Sequence, residues 1–593
     1  MTKSNQASNT TTTKRKEKES SDNMGEDGNI SGARALIKTL EENGVDTIFG
    51  IIGGAIMPIY DELGKSKRIN HITATHEQGA IHAADAYARV SNRPGIVFAT
   101  SGPGASNLMT GLANAYMDSS PVVAFTGQVA TSLIGQDSFQ EVDVRGMSDP
   151  ITKHNYLVMD PTEVRKTVTE ALHIASTGRP GPVLIDMPKD VQTGKVNWKE
   201  TNKSFEKDFE GYSIPESFNA AAVEYLTEEL RKAKRPLILA GGGVANSDAH
   251  DELLTLARKF NIPITNSLMG LGTIDTKDPL CLGMVGMHGS GPANKAISNS
   301  DLLLAVGTRL DDRITGNVEK FASNAKIAHI DIDPAEMGKI VEPDIPIVGD
   351  AKAVLSKVID QIKDEEKEHK HWWAEIKNWY EKYTVKLEDD ESVLKPQSVV
   401  TAIDELTPGD TLVTTGVGQH QMWVAQYYSF SEPKQLITSG GLGTMGFGFP
   451  AAIGAKIGAP DRVVVAITGD GSFQMNIQEL TTAVREQLPI TVVILRNGSL
   501  GMVRQWQQLF FDNRLVETLI DDGTPSLAGV AEAYGAMGLT VTENEHLYTK
   551  LEEGLNYDGP SVIECFVAET ENVWPMVPAG GASGEFLMEE NDV

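Results

Sequence analysis

The chain switches repeatedly between two hydrophobic periods. Short contiguous apolar runs, rich in β-branched residues, read as strands buried on both faces. Each run ends in small or polar residues, and apolar positions three and four apart then predict a helix. Residues 45–49 form such a strand and lead into Gly50-Ile51-Ile52-Gly53-Gly54-Ala55. Residues 69–75 lead into His76-Glu77-Gln78-Gly79-Ala80 and a long Ala-rich helix, and residues 96–100 lead into Ser101-Gly102-Pro103-Gly104-Ala105-Ser106-Asn107. Residues 122–126 and 183–186 supply further strands, and a helix is predicted from Ile30, with Ala33, Leu36, Ile37 and Leu40 on one face. This order predicts an α/β fold with a doubly wound parallel sheet over 29–195.

The same alternation returns twice. Over 214–363, strand 236–240 runs into Gly241-Gly242-Gly243, strand 302–306 into Gly307-Thr308-Arg309-Leu310-Asp311-Asp312-Arg313, and strand 327–332 out through Asp333. Without the complete dinucleotide fingerprint, these residues fit a purely structural Rossmann-like domain as well as a nucleotide site. Asp331 and Asp333 are either ribose-binding acids or ordinary loop acids. Over 396–570, strand 462–468 ends at Gly469-Asp470-Gly471-Ser472, Ile477, Leu480 and Val484 share a helical face, and strand 490–495 ends at Arg496-Asn497-Gly498. Residues 1–28 predict a disordered tail, 193–213 a linker, and 571–593 a C-terminal tail. Segment 364–395 is a charged linker with a surface helix whose Trp372, Trp373, Trp379 and Tyr380 pack on a domain.

The chemistry concentrates at Asp470 and Asn497. They follow two strands joined by one helix, so both sit at the carboxyl edge of a parallel sheet, where α/β folds bind ligands. A carboxylate and a neutral amide oxygen suit Mg²⁺, and the glycines let backbone approach a diphosphate. An incidental acid on a plain turn is the alternative for Gly-Asp-Gly alone; the pairing with Asn497 favours the metal site. Glu77, likewise, is by default a first-turn acid favoured by the helix dipole.

A net charge of −29 over 593 residues argues against nucleic acid and anionic membranes as partners. Two cysteines, Cys281 and Cys565, make neither a disulfide framework nor a zinc site. No apolar run is long enough to span a bilayer and no signal peptide is visible, so a cytoplasmic location is expected.

Taken together, these motifs resemble the acetolactate synthase (acetohydroxyacid synthase) large-subunit family. Further runs carry the resemblance: Phe139-Gln140-Glu141, Thr152-Lys153-His154-Asn155-Tyr156, Gly418-Gln419-His420-Gln421-Met422-Trp423 and Leu500-Gly501-Met502-Val503-Arg504-Gln505-Trp506. It extends from about Ile30 to Gly581 and implies three domains: pyrimidine-binding, FAD-binding and diphosphate-binding. It implies decarboxylation of pyruvate on thiamine diphosphate and transfer of the hydroxyethyl unit to pyruvate or 2-oxobutyrate, in branched-chain amino acid synthesis. It also implies Mg²⁺ and FAD, a homodimer or homotetramer, and room for a small regulatory subunit.

By the same resemblance, Glu77, Gln140 and Lys189 are catalytic, Phe139 and Trp506 contact substrate, and Asp470, Asn497 and the backbone oxygen of Ser499 hold Mg²⁺. Met445 matches an apolar wedge that bends thiamine diphosphate. Arg179, Met287, His288, Arg309 and Asp331 match flavin contacts. Cofactor binding further takes in Gly54, Gln419, His420, Gly443, Gly471, Ser472, Gly501 and Met502. It also takes in Gly242, Gly243, Ser267, Leu268, Gly286, Gly307, Asp311, Arg313, Ile332 and Asp350. The chain departs from the family at Arg496, where the first Asn of an Asn pair is usual, at Ile52 and Ala130 for Pro, and at Ala579 for Ser.

Rival readings are a pyruvate oxidase, a glyoxylate carboligase, a simple 2-oxo-acid decarboxylase, a flavin or nicotinamide oxidoreductase, or a non-catalytic homologue. Glu77 argues against the carboligase, Trp506 against the decarboxylase, and the Asp470/Asn497 pair against the oxidoreductase.

Overall fold

The computed structural model describes residues 28–201, 211–215, 217–385 and 393–592. The tail expected at 1–28 lies, apart from Gly28, outside them. Three six-stranded parallel sheets follow one another along the chain. The first runs Asn70–Thr73, Thr47–Gly50, Gly95–Ala99, Val122–Gln128, Val183–Pro188, His154–Leu157 from edge to edge. The second runs Cys281–Met284, Ile264–Asn266, Pro236–Ala240, Leu302–Val306, Lys326–Asp331, Ile345–Val348. The third runs Leu436–Ile437, Leu412–Thr415, Val464–Gly469, Thr491–Arg496, Ser561–Phe566, Met537–Val541.

Counted in chain order within each sheet, the first and third share the order 2-1-3-4-6-5, while the second is 3-2-1-4-5-6. The two outer domains therefore have one topology, and the middle one has the order of dinucleotide-binding folds. Helices cover both faces of each sheet, so the central strands are buried throughout and each domain has an apolar core on either side.

Two expectations need correction. Ile30 does not begin a helix: Asn29–Ser31 is a short strand, and the helix Gly32–Glu42 starts after Ser31, whose hydroxyl accepts the N–H of Arg34 at 3.1 Å. Its antiparallel partner is Lys195–Asn197, inside the stretch expected to be a linker, and Trp198 beyond it is buried. Local periodicity cannot reveal a pairing between segments so far apart. The segment after the middle domain carries the helix Lys370–Tyr383; its Trp372 indole is buried and donates to the Pro236 carbonyl at 3.0 Å.

The first and third domains of the chain also pack on each other. The helix Glu77–Ser91 crosses Gly448–Gly458 so closely that a Cβ on Gly454 would lie 1.8 Å from the Ala83 carbonyl oxygen. No helix among the described residues is long and apolar enough to cross a membrane.

Candidate functional site

Parallel α/β sheets bind ligands where adjacent strands send their connections to opposite faces. In the third domain this point lies between Leu412–Thr415, which leaves through Gly416-Val417-Gly418, and Val464–Gly469, which leaves through Asp470-Gly471-Ser472. Asp470 is 1% exposed and opens the short helix Asp470–Gln474. One carboxylate oxygen accepts the N–H of Gly471 at 3.0 Å, the other the N–H of Gly498 at 2.9 Å. Burial pushes its pKa up to about 6. Asn497 follows the neighbouring strand, donates to Gln419 Oε1 at 3.3 Å and accepts the N–H of Ser499 at 3.2 Å.

Arg496 does not neutralise this acid at close range. Strand alternation turns it away, into ion pairs with Asp521 and Glu564, both at 2.6 Å. Two further buried atoms face the loops without a partner among the described residues: His420 Nε2 and Ser499 Oγ. Burial holds the His420 imidazole near pKa 4, and hence neutral. A Cβ on Gly469 would lie 2.9 Å from His420 Nδ1, and one on Gly501 2.1 Å from Gln419 Oε1. The Ser472 hydroxyl accepts the N–H of Gly446 at 3.0 Å, which brings the loop bearing Met445 over Gly471; a Cβ there would be 3.6 Å from the Met445 methyl. A buried carboxylate beside a neutral amide, with unsatisfied polar atoms around them, fits a hard cation carrying a diphosphate.

The middle domain has its own switch point, between Pro236–Ala240 and Leu302–Val306. Here two glycine turns touch: a Cβ on Gly243 would stand 2.6 Å from the Gly307 Cα, and Gly307 has φ +56°. A cleft of about 1790 Å³ opens from this point toward both other domains. Its middle-domain walls include Gly242, Ser267, Leu268, Met287 and His288, then Arg309, Asp311 and Arg313, then Asp331, Ile332 and Asp350. Arg179 reaches it from the first domain, and Gly443, Met445, Met502 and Trp506 close its third-domain end. Asp333 is not on this wall. It accepts from Arg179 at 3.1 Å, beside Glu336 at 2.7 Å, and so ties the first domain to the second. Trp506 is half-buried on the helix Gly501–Phe510 and also lines a second cavity of about 180 Å³ with Gly286 and Ala579.

The first-domain residues lie elsewhere. Glu77 begins its helix after His76, which caps it, and its Oε2 accepts from Asn107 Nδ2 at 3.0 Å. Phe139 is 88% exposed, Gln140 and Lys189 are exposed, and Gly54 has open space around it. None of these five lines the cleft that holds Met445. Asn107, which donates to Glu77, and Glu479, which accepts the N–H of His76 at 2.9 Å, join the framework although the sequence pattern does not point to them as site residues. Asn107 closes a glycine-rich run, a usable signal; Glu479 sits in an ordinary-looking helix and carries none.

Comparison with known proteins agrees with this architecture. The family model described as "Thiamine pyrophosphate enzyme, N-terminal TPP binding domain" matches residues 30–147. The corresponding central domain matches 223–358, and the C-terminal TPP binding domain 416–565. The chain is 44% identical over 564 residues to the acetolactate synthase large subunit of Corynebacterium glutamicum, covering 94% of this chain and 90% of that protein. It is 45% identical over 566 residues to a probable acetolactate synthase large subunit of Methanococcus aeolicus, 93% and 94% covered. Against the Lactococcus lactis large subunit it is 44% identical over 557 residues, 94% and 96% covered. With three domain matches in order and such identity along nearly its whole length, the chain belongs to the acetolactate synthase large subunits, enzymes that depend on thiamine diphosphate.

Proposed function

We propose that the chain decarboxylates pyruvate and joins the resulting two-carbon unit to a second 2-oxo acid, pyruvate or 2-oxobutyrate, using thiamine diphosphate, Mg²⁺ and FAD. The observation that carries this reading is Asp470: a buried carboxylate at a sheet switch point, beside Asn497, with no ion-pair partner among the described residues and a raised pKa. Asp470, Asn497 and the Ser499 carbonyl would hold the metal, and Gln419 and His420 would line the diphosphate. Thiamine diphosphate supplies the electron sink for decarboxylation when bound. Glu77 would share a proton with a pyrimidine nitrogen, with Asn107 fixing the orientation of its carboxyl group. Met445 would set the bend of the cofactor, and Trp506 would shape the acceptor pocket.

The size of the large cleft, its bare-backbone turns at Gly243 and Gly307, and the acids Asp331 and Asp350 suit a flavin dinucleotide. Decarboxylation and carboligation together move no net electrons, so the flavin's contribution would be structural. Because Glu77, Phe139, Gln140 and Lys189 lie outside the cleft with Met445 and Trp506, each site would be completed by a second copy of the chain. The exposed Ile52, Met57 and Leu133 of the first domain suit such a contact. A homodimer or homotetramer, with a small regulatory subunit as a further partner, and a cytoplasmic location complete the reading.

The test is to supply pyruvate, thiamine diphosphate, Mg²⁺ and FAD and identify the product. Acetolactate, with the flavin absorbance staying oxidised through turnover, is expected. Acetyl phosphate or acetaldehyde would point to the oxidase or decarboxylase instead.

A further inference from the structure

Asp118 is a buried acid of the first domain with no role in the reading above, at the end of the helix Met109–Met117. One of its carboxylate oxygens accepts the N–H of Gly441 at 2.7 Å, the other the N–H of Gly440 at 3.0 Å. Both glycines belong to the third domain and precede Met445 by five and four residues. Nearby, Asn114 accepts from the Ser439 hydroxyl and, at 3.3 Å, from that of Thr444, while Ser439 Oγ accepts the Thr444 N–H at 2.8 Å. The loop is thus gripped on both sides of its turn, from Ser439 to Thr444, by one end of a first-domain helix.

Two observations show that this grip leaves the loop little freedom. A Cβ on Gly441 would lie 2.8 Å from Met117 Cβ, 2.9 Å from Arg309 Nη2 and 3.1 Å from Asp118 Oδ1, so the backbone is held between Asp118 and an arginine of the cleft. Asp118 is itself fixed by Arg89, which reaches it at 3.1 Å, binds Asp85 at 2.7 Å and donates to the Thr438 carbonyl at 2.8 Å. Backbone N–H groups held by a buried carboxylate form charge-assisted bonds, stronger than neutral ones.

We propose that Asp118 is a positioning residue for the thiamine-diphosphate chemistry: through Gly440 and Gly441 it fixes the loop that presents Met445 to the cofactor in the same chain. The inference rests on the role given to Met445 above. Each site would then depend on the first domain twice, on one copy for Glu77 and on the other for the placement of Met445.

The test is Asp118→Asn in the assembled, flavin-loaded protein. Asparagine fills the same space, and Arg89 keeps Asp85 as its counter-ion, so the fold survives. Its amide can accept one of the two glycine N–H groups but turns an N–H₂ donor toward the other. A fall in kcat of about tenfold or more is expected, the equivalent of one lost charge-assisted hydrogen bond, with KM for pyruvate nearly unchanged and the near-ultraviolet circular dichroism of bound thiamine diphosphate altered. In a Met445→Ala background the same substitution should cost less than about twofold, because residues acting as a unit are not additive. Equal losses in both backgrounds, or an unchanged kcat in the first, would overturn the proposal. If Met445→Ala itself keeps full kcat, the role of Met445 has failed and this proposal with it. Amide exchange at Gly440 and Gly441 then shows whether the anchor alone is real: faster exchange in Asp118→Asn upholds it, and unchanged exchange removes it.

Discussion

Glu479 of the third domain accepts the backbone N–H groups of Thr75, at 3.1 Å, and His76, at 2.9 Å, the two first-domain residues that lead into Glu77. The Thr482 hydroxyl donates to the other carboxylate oxygen, Oε2, at 2.7 Å, and a Cβ on Gly79 would stand 2.4 Å from Oε1, the oxygen that holds Thr75 and His76. The start of the helix that presents Glu77 is therefore held by an acid from another domain of the same chain. Glu479→Ala removes the acceptor of both backbone N–H groups; Thr75 is exposed and His76 half-buried, so water takes up part of the loss and the cost is about 1–2 kcal/mol in total. Amide exchange at residues 75–79 should quicken, and thermal unfolding should begin lower; unchanged protection there would show that the contact is not structural.

Glu77→Gln should lose most of the activity while thiamine diphosphate still binds. A proton relay needs a carboxyl group that can share its proton, and an amide cannot. Near-normal turnover with cofactor bound would remove Glu77 from the mechanism.

Metal binding should depend on pH through Asp470. Its pKa rises from an ordinary 3.8 to about 6 on folding. The stability contributed by the protonated form is therefore fully present below about 3.8 and is lost as pH rises through about 6, unless a cation compensates the buried charge. Protons compete with the metal, so Mg²⁺ affinity should fall about tenfold per unit as pH drops below that value. A Mg²⁺ titration of cofactor binding between pH 5 and 8 reads this directly. Asp470→Ala should abolish both the Mg²⁺ dependence and its pH slope.

Arg496→Asn should change Mg²⁺ affinity little, because the guanidinium points to Asp521 and Glu564 and not to Asp470 and Asn497. It should nonetheless destabilise the protein by about 3–5 kcal/mol, since Glu564 is completely buried and loses its counter-ion. Chemical denaturation with and without Mg²⁺ separates the two effects. A large loss of metal affinity at full stability would contradict the geometry.

Two inactive chains should complement each other. If Glu77 of one copy meets Asp470 of another, a mixed dimer of Glu77→Ala and Asp470→Ala has one site with both defects and one with neither. Random mixing should restore roughly a quarter of wild-type activity in a closed two-fold dimer. Verified mixed dimers that remain inactive would show that each site belongs to a single chain.

The sequence by itself determined the elements and the local chemistry. Contiguous apolar runs located the core strands because a strand buried on both faces has no polar side, and the glycine turn at 469–471 marked a strand end where backbone can approach a ligand closely. Strand alternation is also enough to turn Arg496 away from Asn497, toward Glu564. What needed the tertiary structure were relations between residues far apart in the chain. The shared 2-1-3-4-6-5 order of the outer sheets leaves no trace in periodicity, because periodicity describes a strand's faces and not its neighbours. Ile30 looked helical because its strand partner lies at Val196. Nothing in the local pattern marks Glu479 or Asp118; only the packing of the first domain on the third brings Glu479 to the backbone of Thr75 and His76 and Asp118 to that of Gly440 and Gly441. A side chain's role in such contacts is set by which surface arrives opposite it, and that is a property of the assembled domains.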